Sequence, residues 1–169
     1  GISNQDQLAR VTAAAQSESK MARIHLKVDT GLGRNGVTLS ALSQLLEATN
    51  QAVAAGHVIV VGIFSHLSCT SREDDLKQIE QFETAVAMAA SVGIEPPLKH
   101  LTASDGTLSY PQAHYDMVRV GVALYGLSPY SDHDSADYGL TPAMTATARV
   151  VQVKSVPADH GVSYGYLYR

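Results

Sequence analysis

The sequence of 169 residues contains no tryptophan and a single cysteine, Cys69. One cysteine excludes an internal disulfide framework and a cysteine-based zinc site, and it suits the reducing cytoplasm, where we expect the protein. Long hydrophobic runs are missing too, since no apolar stretch approaches the roughly 20 residues that span a membrane. No basic-then-apolar stretch typical of a secretory signal is evident either. We therefore expect no membrane partner.

Blocks of Lys and Arg are also absent, and the formal net charge is −4. This charge balance argues against nucleic acid or an anionic membrane as a partner. The seven histidines are scattered, with no HExxH or other ligand pair at helical spacing, so the sequence predicts no metal site. The nucleophile motif GxSxG and the phosphate loop GxxxxGK[ST] do not occur. Several common hydrolase and nucleotide-binding classes are thereby excluded.

The hydrophobic pattern that is present predicts alternating strands and helices. Ile24, Leu26 and Val28 alternate with polar residues, which predicts a strand, and the apolar run VIVVGIF predicts a second strand that is buried on both faces. The predicted strands cover residues 24–28, 58–64, 98–101 and 116–120. The predicted helices cover residues 4–19, 40–55 (with Leu42, Leu45, Leu46 and Val53 on one face), 76–92 (with Leu76, Ile79, Phe82, Val86 and Ala90 facing the core) and 104–108.

This order predicts an α/β fold with a parallel sheet and right-handed crossovers. Because a (β/α)8 TIM-type barrel takes about 250 residues, residues 1–127 would form only about half of one, and the family resemblance given below implies that this is the second half. Residues 128–141 are a polar linker, and the alternating residues of 142–169 indicate the beginning of an all-β C-terminal domain. The chain is expected to be a central piece of a longer protein. Half a barrel has unpaired strand edges, so we also expect the chain to self-associate or to fold only partly.

Polar and cationic side chains lie at or just after the carboxyl ends of the predicted strands, at the edge where parallel α/β folds place their active sites. They are Lys27, His66, the turn at Thr102–Ser104 and Arg119, with Arg34 on the glycine-rich turn after the first strand. Such a cluster favours an anion such as a phosphate or a carboxylate. Simpler interpretations exist for each residue on its own. Lys27 and Arg34 would be solvated charges, His66 a hydrogen-bonded histidine at the core edge, Arg119 the partner of Asp116, Ser104 a helix N-cap and Gly121 a strand kink.

The chain resembles bacterial alanine racemases in five ordered segments that cover nearly its whole length. They are KVDTGLGRNG at 27–36, GIFSHL at 62–67, HLTASDGTLSYP at 100–111, DMVRVGVALYGLSP at 116–129 and LTPAMTATARVVQVKSVPADHGVSYG at 140–165. Members of that family are homodimeric isomerases that use pyridoxal 5'-phosphate (PLP). They interconvert L-alanine and D-alanine through an aldimine of the cofactor and supply D-alanine for peptidoglycan.

The resemblance implies roles for individual residues. Lys27 matches a lysine that many members carbamylate, and Arg34 matches the arginine that faces the substrate carboxylate and the phenolic oxygen of the cofactor. His66 matches a histidine near the cofactor ring. Arg119 matches the arginine that donates to the pyridine nitrogen. The phosphate cradle would consist of Ser104 with the backbone N–H groups of Gly121 and Val122.

Three departures accompany the resemblance. Ala103 stands where most members have asparagine. No segment matches the AVVKANAYGHG-like motif that carries the Schiff-base lysine, or the GYADG-like motif that carries the catalytic tyrosine. Neither catalytic base is therefore expected within residues 1–169, and the chain alone is expected to be inactive. Two alternatives remain: a PLP racemase of broader amino-acid range, and a non-catalytic, self-associating half-barrel.

Overall fold

A computed structural model describes all residues from Gly1 to Arg169. The helices are α1 (Gln5–Ser17), α2 (Leu39–Ala54), α3 (Arg72–Ser91) and α4 (Ser104–Ser109), and the strands are β1 (Ala22–Asp29), β2 (Val37–Thr38), β3 (Val58–Phe64) and β4 (Leu98–His100). Short 3₁₀ helices lie at Pro111–Ala113, Val122–Tyr125, Ser135–Tyr138 and Tyr164–Tyr166. No helix, α3 with its 20 residues included, combines the length and the apolar character that crossing a membrane requires.

The four strands form one sheet in the order β2-β1-β3-β4, and every pair in it is parallel. The crossovers from β1 to β3 and from β3 to β4 contain α2 and α3, whereas the short β2 is joined to β1 by the loop of residues 30–36. The α/β class predicted from the sequence is confirmed. The strand predicted at 58–64 is confirmed residue for residue. Strand β2 was not predicted, because two residues are too few to show an alternating pattern.

The two faces of the sheet differ in polarity, as the alternation in β1 predicts. Ile24, Leu26 and Val28 are buried in the core, whereas His25 and Lys27 between them are half-buried on the opposite face. The core side is completed by Leu42, Leu45 and Leu46 of α2 and by Phe82 of α3. The expectation that β3 is buried along both faces is wrong at Ile59, which is 42% exposed, and Val53 of α2 is also exposed.

Helix α3 begins earlier and faces the core differently than predicted. Ser71 caps it, so the expected polar loop at 68–75 is partly helical. Leu76 is 41% exposed, while Asp75 and Gln78 are buried. These two polar side chains are tolerated inside because each is hydrogen-bonded: Asp75 accepts from the backbone N–H of Cys69, and Gln78 bonds Ser68. Only Phe82 of the predicted apolar face is fully buried.

The strand predicted at 116–120 is not formed. Its residues lie beside β4 and donate two backbone hydrogen bonds, from Asp116 to Lys99 and from Arg119 to Thr102. The backbone N–H of Lys99 does not donate to a backbone carbonyl of this segment. It donates to the side chain of Asp116 at 2.8 Å. A side-chain acceptor thus replaces part of the ladder, and the segment stays irregular.

The antiparallel strands expected after about residue 143 are also not formed. Residues 142–160 are exposed throughout, and a single bridge between Val162 and Tyr168 is the only strand-like pairing beyond the linker. Strand conformation needs a paired neighbour, and the one backbone hydrogen bond from residues 142–160 to another segment runs from the N–H of Ala143 to the carbonyl of Tyr125. The division at 127 and 141 and the identity of 142–169 as a β-domain stay predictions.

Candidate active site

The loop after β1 is built on one carboxylate. Asp29 Oδ1 accepts from the N–H groups of Gly31 at 3.0 Å and Gly33 at 3.1 Å, which closes the turn locally. Gly36 then passes so close to β1 that a Cβ would lie 2.7 Å from the Asp29 nitrogen, at a φ of +114° that favours glycine. This close approach lets β2 pair with β1. Arg34 lies in the loop that connects the two strands and is therefore held at the carboxyl end of the sheet.

Arg119 is the most connected side chain of the site. Its Nη1 donates to His100 Nδ1 at 2.7 Å, and its Nη2 lies 2.8 Å from the carbonyl of Ser65, 2.9 Å from that of Leu101 and 3.0 Å from His66 Nδ1. The simpler interpretation, a salt bridge to Asp116, is wrong, because the Asp116 carboxylate bonds the backbone of Lys99. Arg119 instead joins the ends of β3 and β4.

Lys27 and Arg119 share the ring of Phe64. Lys27 Nζ lies 5.4 Å from the ring centroid, and Arg119 Cζ lies 5.6 Å from it. Partial burial lowers the pKa of Lys27, and the charges of Arg34 and Arg119 lower it further, while Asp29 opposes them. No ion pair in the structure involves Lys27, Arg34 or Arg119. Three neighbouring cations without a bound carboxylate form a site that favours an anion.

His66 lies on the edge of this cationic cluster and is half-buried. Burial lowers its pKa, followed by the charges of Arg119, Arg34 and Lys27. Because the Arg119 guanidinium can only donate, His66 Nδ1 is the acceptor and the ring is neutral with its proton on Nε2. His66 therefore presents an N–H donor away from Arg119.

Ser104 organises a second group of hydrogen bonds at the start of α4. Its Oγ accepts from the N–H of Gly121 at 2.9 Å and from that of Ala123 at 3.2 Å. Both acceptor positions of the hydroxyl are then used, so its hydrogen is free to donate outward. Val122 N–H makes no hydrogen bond within the chain. Ser104 is not the N-cap of α4, which is Ala103, so the simpler interpretation is wrong.

Buried polar side chains next to the site are hydrogen-bonded to one another. Thr30 and Ser65, both fully buried, share a hydrogen bond of 2.8 Å between their hydroxyls and so tie the loop after β1 to the end of β3. The Tyr110 hydroxyl donates to buried Asp75 at 3.0 Å.

Cys69 lies near Asp75 and Asp105, and burial together with these carboxylates raises the pKa of its thiol to about 12. The thiol stays protonated, so it is unsuited to nucleophilic work.

The structure thus brings together Lys27, Arg34, His66 and Arg119 in one cluster, and Ser104 with Gly121 in the adjoining one. The backbone of Arg119 bonds Thr102, two residues before Ser104, and so connects the two. The sequence analysis missed His100 and His25, although both are polar residues in strands. It took one group near the carboxyl end of each predicted strand, and so passed over His25, two residues before Lys27 in β1, and His100, two residues before Thr102.

Comparisons with known proteins agree with this geometry. The family model for the alanine racemase N-terminal domain matches residues 1–129. An alanine racemase from Salinispora tropica is 42% identical over 171 aligned positions, which cover 99% of this chain, and one from Beutenbergia cavernae is 44% identical over 164 positions, 95% of the chain. The crystal structure of the alanine racemase from a D-cycloserine-producing Streptomyces lavendulae superposes with a TM-score of 0.92 at 42% identity and 99% coverage of the chain. The chain spans 43–45% of the length of these three proteins.

Proposed function

We propose, on the premise that this chain belongs to the alanine racemase family, that it forms part of a PLP-dependent enzyme that interconverts L-alanine and D-alanine. The observation that carries the proposal is that two histidines and two backbone carbonyls hold Arg119 at the carboxyl end of the sheet. The family also suggests a homodimer as the assembly, the cytoplasm as the location and D-alanine supply for peptidoglycan as the role.

The residues present fit the cofactor. PLP carries a phosphate and a ring nitrogen, and when bound it withdraws electrons from the substrate Cα and so acidifies the Cα–H bond. Ser104 offers a free hydroxyl hydrogen and Val122 a free backbone N–H, which suits a phosphate. Arg119 has five N–H donors, of which Nε–H and one Nη1–H make no bond within the chain, and these suit an unprotonated ring nitrogen.

The charge of Arg119 decides the protonation of its acceptor. An arginine stays charged at any physiological pH, and a second positive charge beside it is disfavoured. Arg119 would therefore hold the ring nitrogen of the cofactor without a proton. The cofactor would then withdraw electrons less strongly, which would favour return of a proton to Cα over side reactions.

Lys27 and Arg34 would lie where the substrate binds, with Arg34 facing its carboxylate. The lowered pKa of Lys27 makes its neutral amine more available, and a neutral amine reacts with carbon dioxide to form a carbamate. In this reaction a bond forms between nitrogen and the carbon of CO2, and one proton is released to solvent. The cation then becomes an anion, which relieves repulsion within the cluster and can fix the Arg34 guanidinium for a carboxylate.

The decisive experiment measures formation of D-alanine from L-alanine, with PLP present, by the complete protein to which residues 1–169 belong. We expect PLP-dependent racemisation and a fall in kcat of about 100-fold for Arg119→Lys, since a point charge cannot replace the guanidinium contacts. Arg149→Lys, at an exposed position, is the matched control. Absence of racemisation, or equal kcat for both variants, would refute the proposal. Comparable turnover of serine or lysine would instead support the broader-range racemase.

Carbamylation of Lys27 is measured separately, with ¹³C-labelled bicarbonate and NMR. We expect a carbamate resonance that disappears in Lys27→Gln and persists in Lys154→Gln, a change at an exposed position. A wild-type spectrum without the resonance would contradict the role given to Lys27.

A further inference from the structure

Arg119 is the first member of a chain of hydrogen bonds that runs down the polar face of the sheet. Arg119 Nη1 lies 2.7 Å from His100 Nδ1, and His100 Nε2 lies 2.9 Å from His25 Nδ1. The three residues come from the segment after α4, from β4 and from β1, so the chain connects parts of the fold that are far apart in sequence. His25 itself does not touch Arg119.

The direction of each bond follows from the chemistry of the groups. A guanidinium only donates, so His100 Nδ1 must accept and the proton of the neutral His100 ring lies on Nε2. That N–H then donates to His25 Nδ1, which must accept in turn. Burial and the charge of Arg119 lower the pKa of His100 to about 4, which agrees with a neutral ring. One tautomer is thereby specified at both histidines.

The backbone opposite His25 is shaped to admit its ring. Gly62 of β3 pairs with His25, and a Cβ on Gly62 would lie 2.3 Å from His25 Nδ1, well inside any permitted contact. Phe64 covers the pair from one side: it stacks on His100 with centroids 4.6 Å apart and meets His25 edge-on at 6.1 Å. A glycine at 62 and an aromatic ring at 64 together fix where the His25 acceptor can be.

We propose that His25 is a positioning residue for Arg119, acting through His100, and that Gly62 is the position that makes this arrangement possible. His100 is only 4% exposed, so its Nε2–H has no access to bulk water and depends on His25 for a partner. Without that partner the buried Nε2–H is unpaired, and the His100 ring can regain a partner only by turning or by moving its proton to Nδ1. The bond that holds Arg119 Nη1 is then lost. The catalytic consequence of this arrangement rests on the proposed function, whereas the arrangement itself does not.

The first measurement is the tautomer of His100 in the wild-type chain, read from ring ¹⁵N shifts by solid-state NMR, which also works on assemblies. We expect Nε2–H at both His100 and His25. An Nδ1–H tautomer, or a doubly protonated His100 ring, at pH 7.5 would overturn the proposal without any variant.

Three variants then separate position from packing. His25→Leu keeps bulk but removes the acceptor, His25→Asn retains an acceptor oxygen on Cγ, and Gly62→Ala displaces the ring by contact. His57→Leu is the matched control, because His57 bonds Gln16 on the far side of the sheet from this cluster. We expect His25→Leu and Gly62→Ala to lose the single His100 tautomer and the slowed-rotation Nη signals of Arg119. The His25→Asn and His57→Leu variants should keep both.

In the complete racemase, the same comparison should lower kcat about tenfold for His25→Leu and Gly62→Ala at nearly unchanged KM, with rescue by His25→Asn. Unchanged Arg119 signals and kcat in His25→Leu would overturn the positioning role. Should His25→Leu fail to fold, the pair His25→Asn and Gly62→Ala decides in the same way. A wild-type protein with the expected tautomers but no racemisation would count against the proposed function and not against the positioning of Arg119.

Discussion

At the scale of single residues, burial together with one permanent cation favours the neutral form of the histidines in the site. Arg119 lowers the pKa values of His66 and of His100, in each case after burial, which is the larger cause. The pKa of His25 is also lowered, by burial first, with the charge of Arg23 acting in the same direction. Neutral rings can accept from a guanidinium, and charged rings cannot. The hydrogen bonds around Arg119 therefore depend on pH.

This dependence predicts acid sensitivity. The pKa of His100 is about 4 in the folded chain against 6.5 as its ordinary value, so the unfolded state binds the proton first. The stability associated with a neutral His100 is complete above pH 6.5 and is lost as the pH falls toward 4. Urea unfolding between pH 7.5 and 4 should show this loss, with a shallower slope in His100→Asn. Parallel curves for the two proteins would contradict it.

At the scale of elements, the helix starts differ in how they are capped, and α3 has a side-chain cap. Ser71 accepts from the N–H of Asp74 at 3.1 Å, and three acidic residues follow in the first turn. This start aligns Asp75 and Gln78 with the loop that follows His66. Thr38, the N-cap of α2, makes no such side-chain bond.

We therefore expect Ser71→Ala to lower the free energy of unfolding by about 1 kcal/mol. Thr38→Ala is the matched control and should change it by only about 0.3 kcal/mol, because no capping bond is lost there. Urea titrations at pH 7.5 give both values. Equal effects would show that the Ser71 hydroxyl does not act as a cap.

At the scale of the whole molecule, the exposed apolar surface is concentrated in the last third of the chain. Leu124, Met144, Val151 and Leu167 are 75–97% exposed. The sheet edges contribute less than expected from the sequence, because Ile2 and β2 both pair with β1, and the segment after α4 lies along β4. Association of the isolated chain should therefore arise mainly from residues 142–169.

Light scattering tests this inference. A polypeptide of residues 1–169 should self-associate at micromolar concentration, and one of residues 1–141 should do so much less, because exposed apolar side chains drive the contact. A monodisperse monomer of 1–169 with a cooperative thermal transition would show the expectation to be wrong.

A second prediction at this scale concerns activity. No lysine in residues 1–169 lies in a segment that matches the family's Schiff-base motif, and a carbamate on Lys27 would consume its nucleophilic nitrogen. The isolated polypeptide should give no borohydride-reducible PLP–lysine adduct and no racemisation above that of PLP with free N-acetyl-lysine. A stable adduct on Lys27 accompanied by turnover would contradict this expectation.

The sequence by itself determined the α/β class, the strand at 58–64 and the first two helices, because periodicity and caps are local signals, and it predicted Lys27, His66, Ser104 and Arg119 as site residues. Only the tertiary structure decided what those residues contact. Arg119 bonds His100 rather than Asp116, and Asp75 rather than Leu76 faces inward, since burial follows available hydrogen-bond partners. Residues 142–160 show the same principle in reverse: their alternating pattern permits a strand, but a strand forms only where another segment lies beside it to complete the hydrogen bonds.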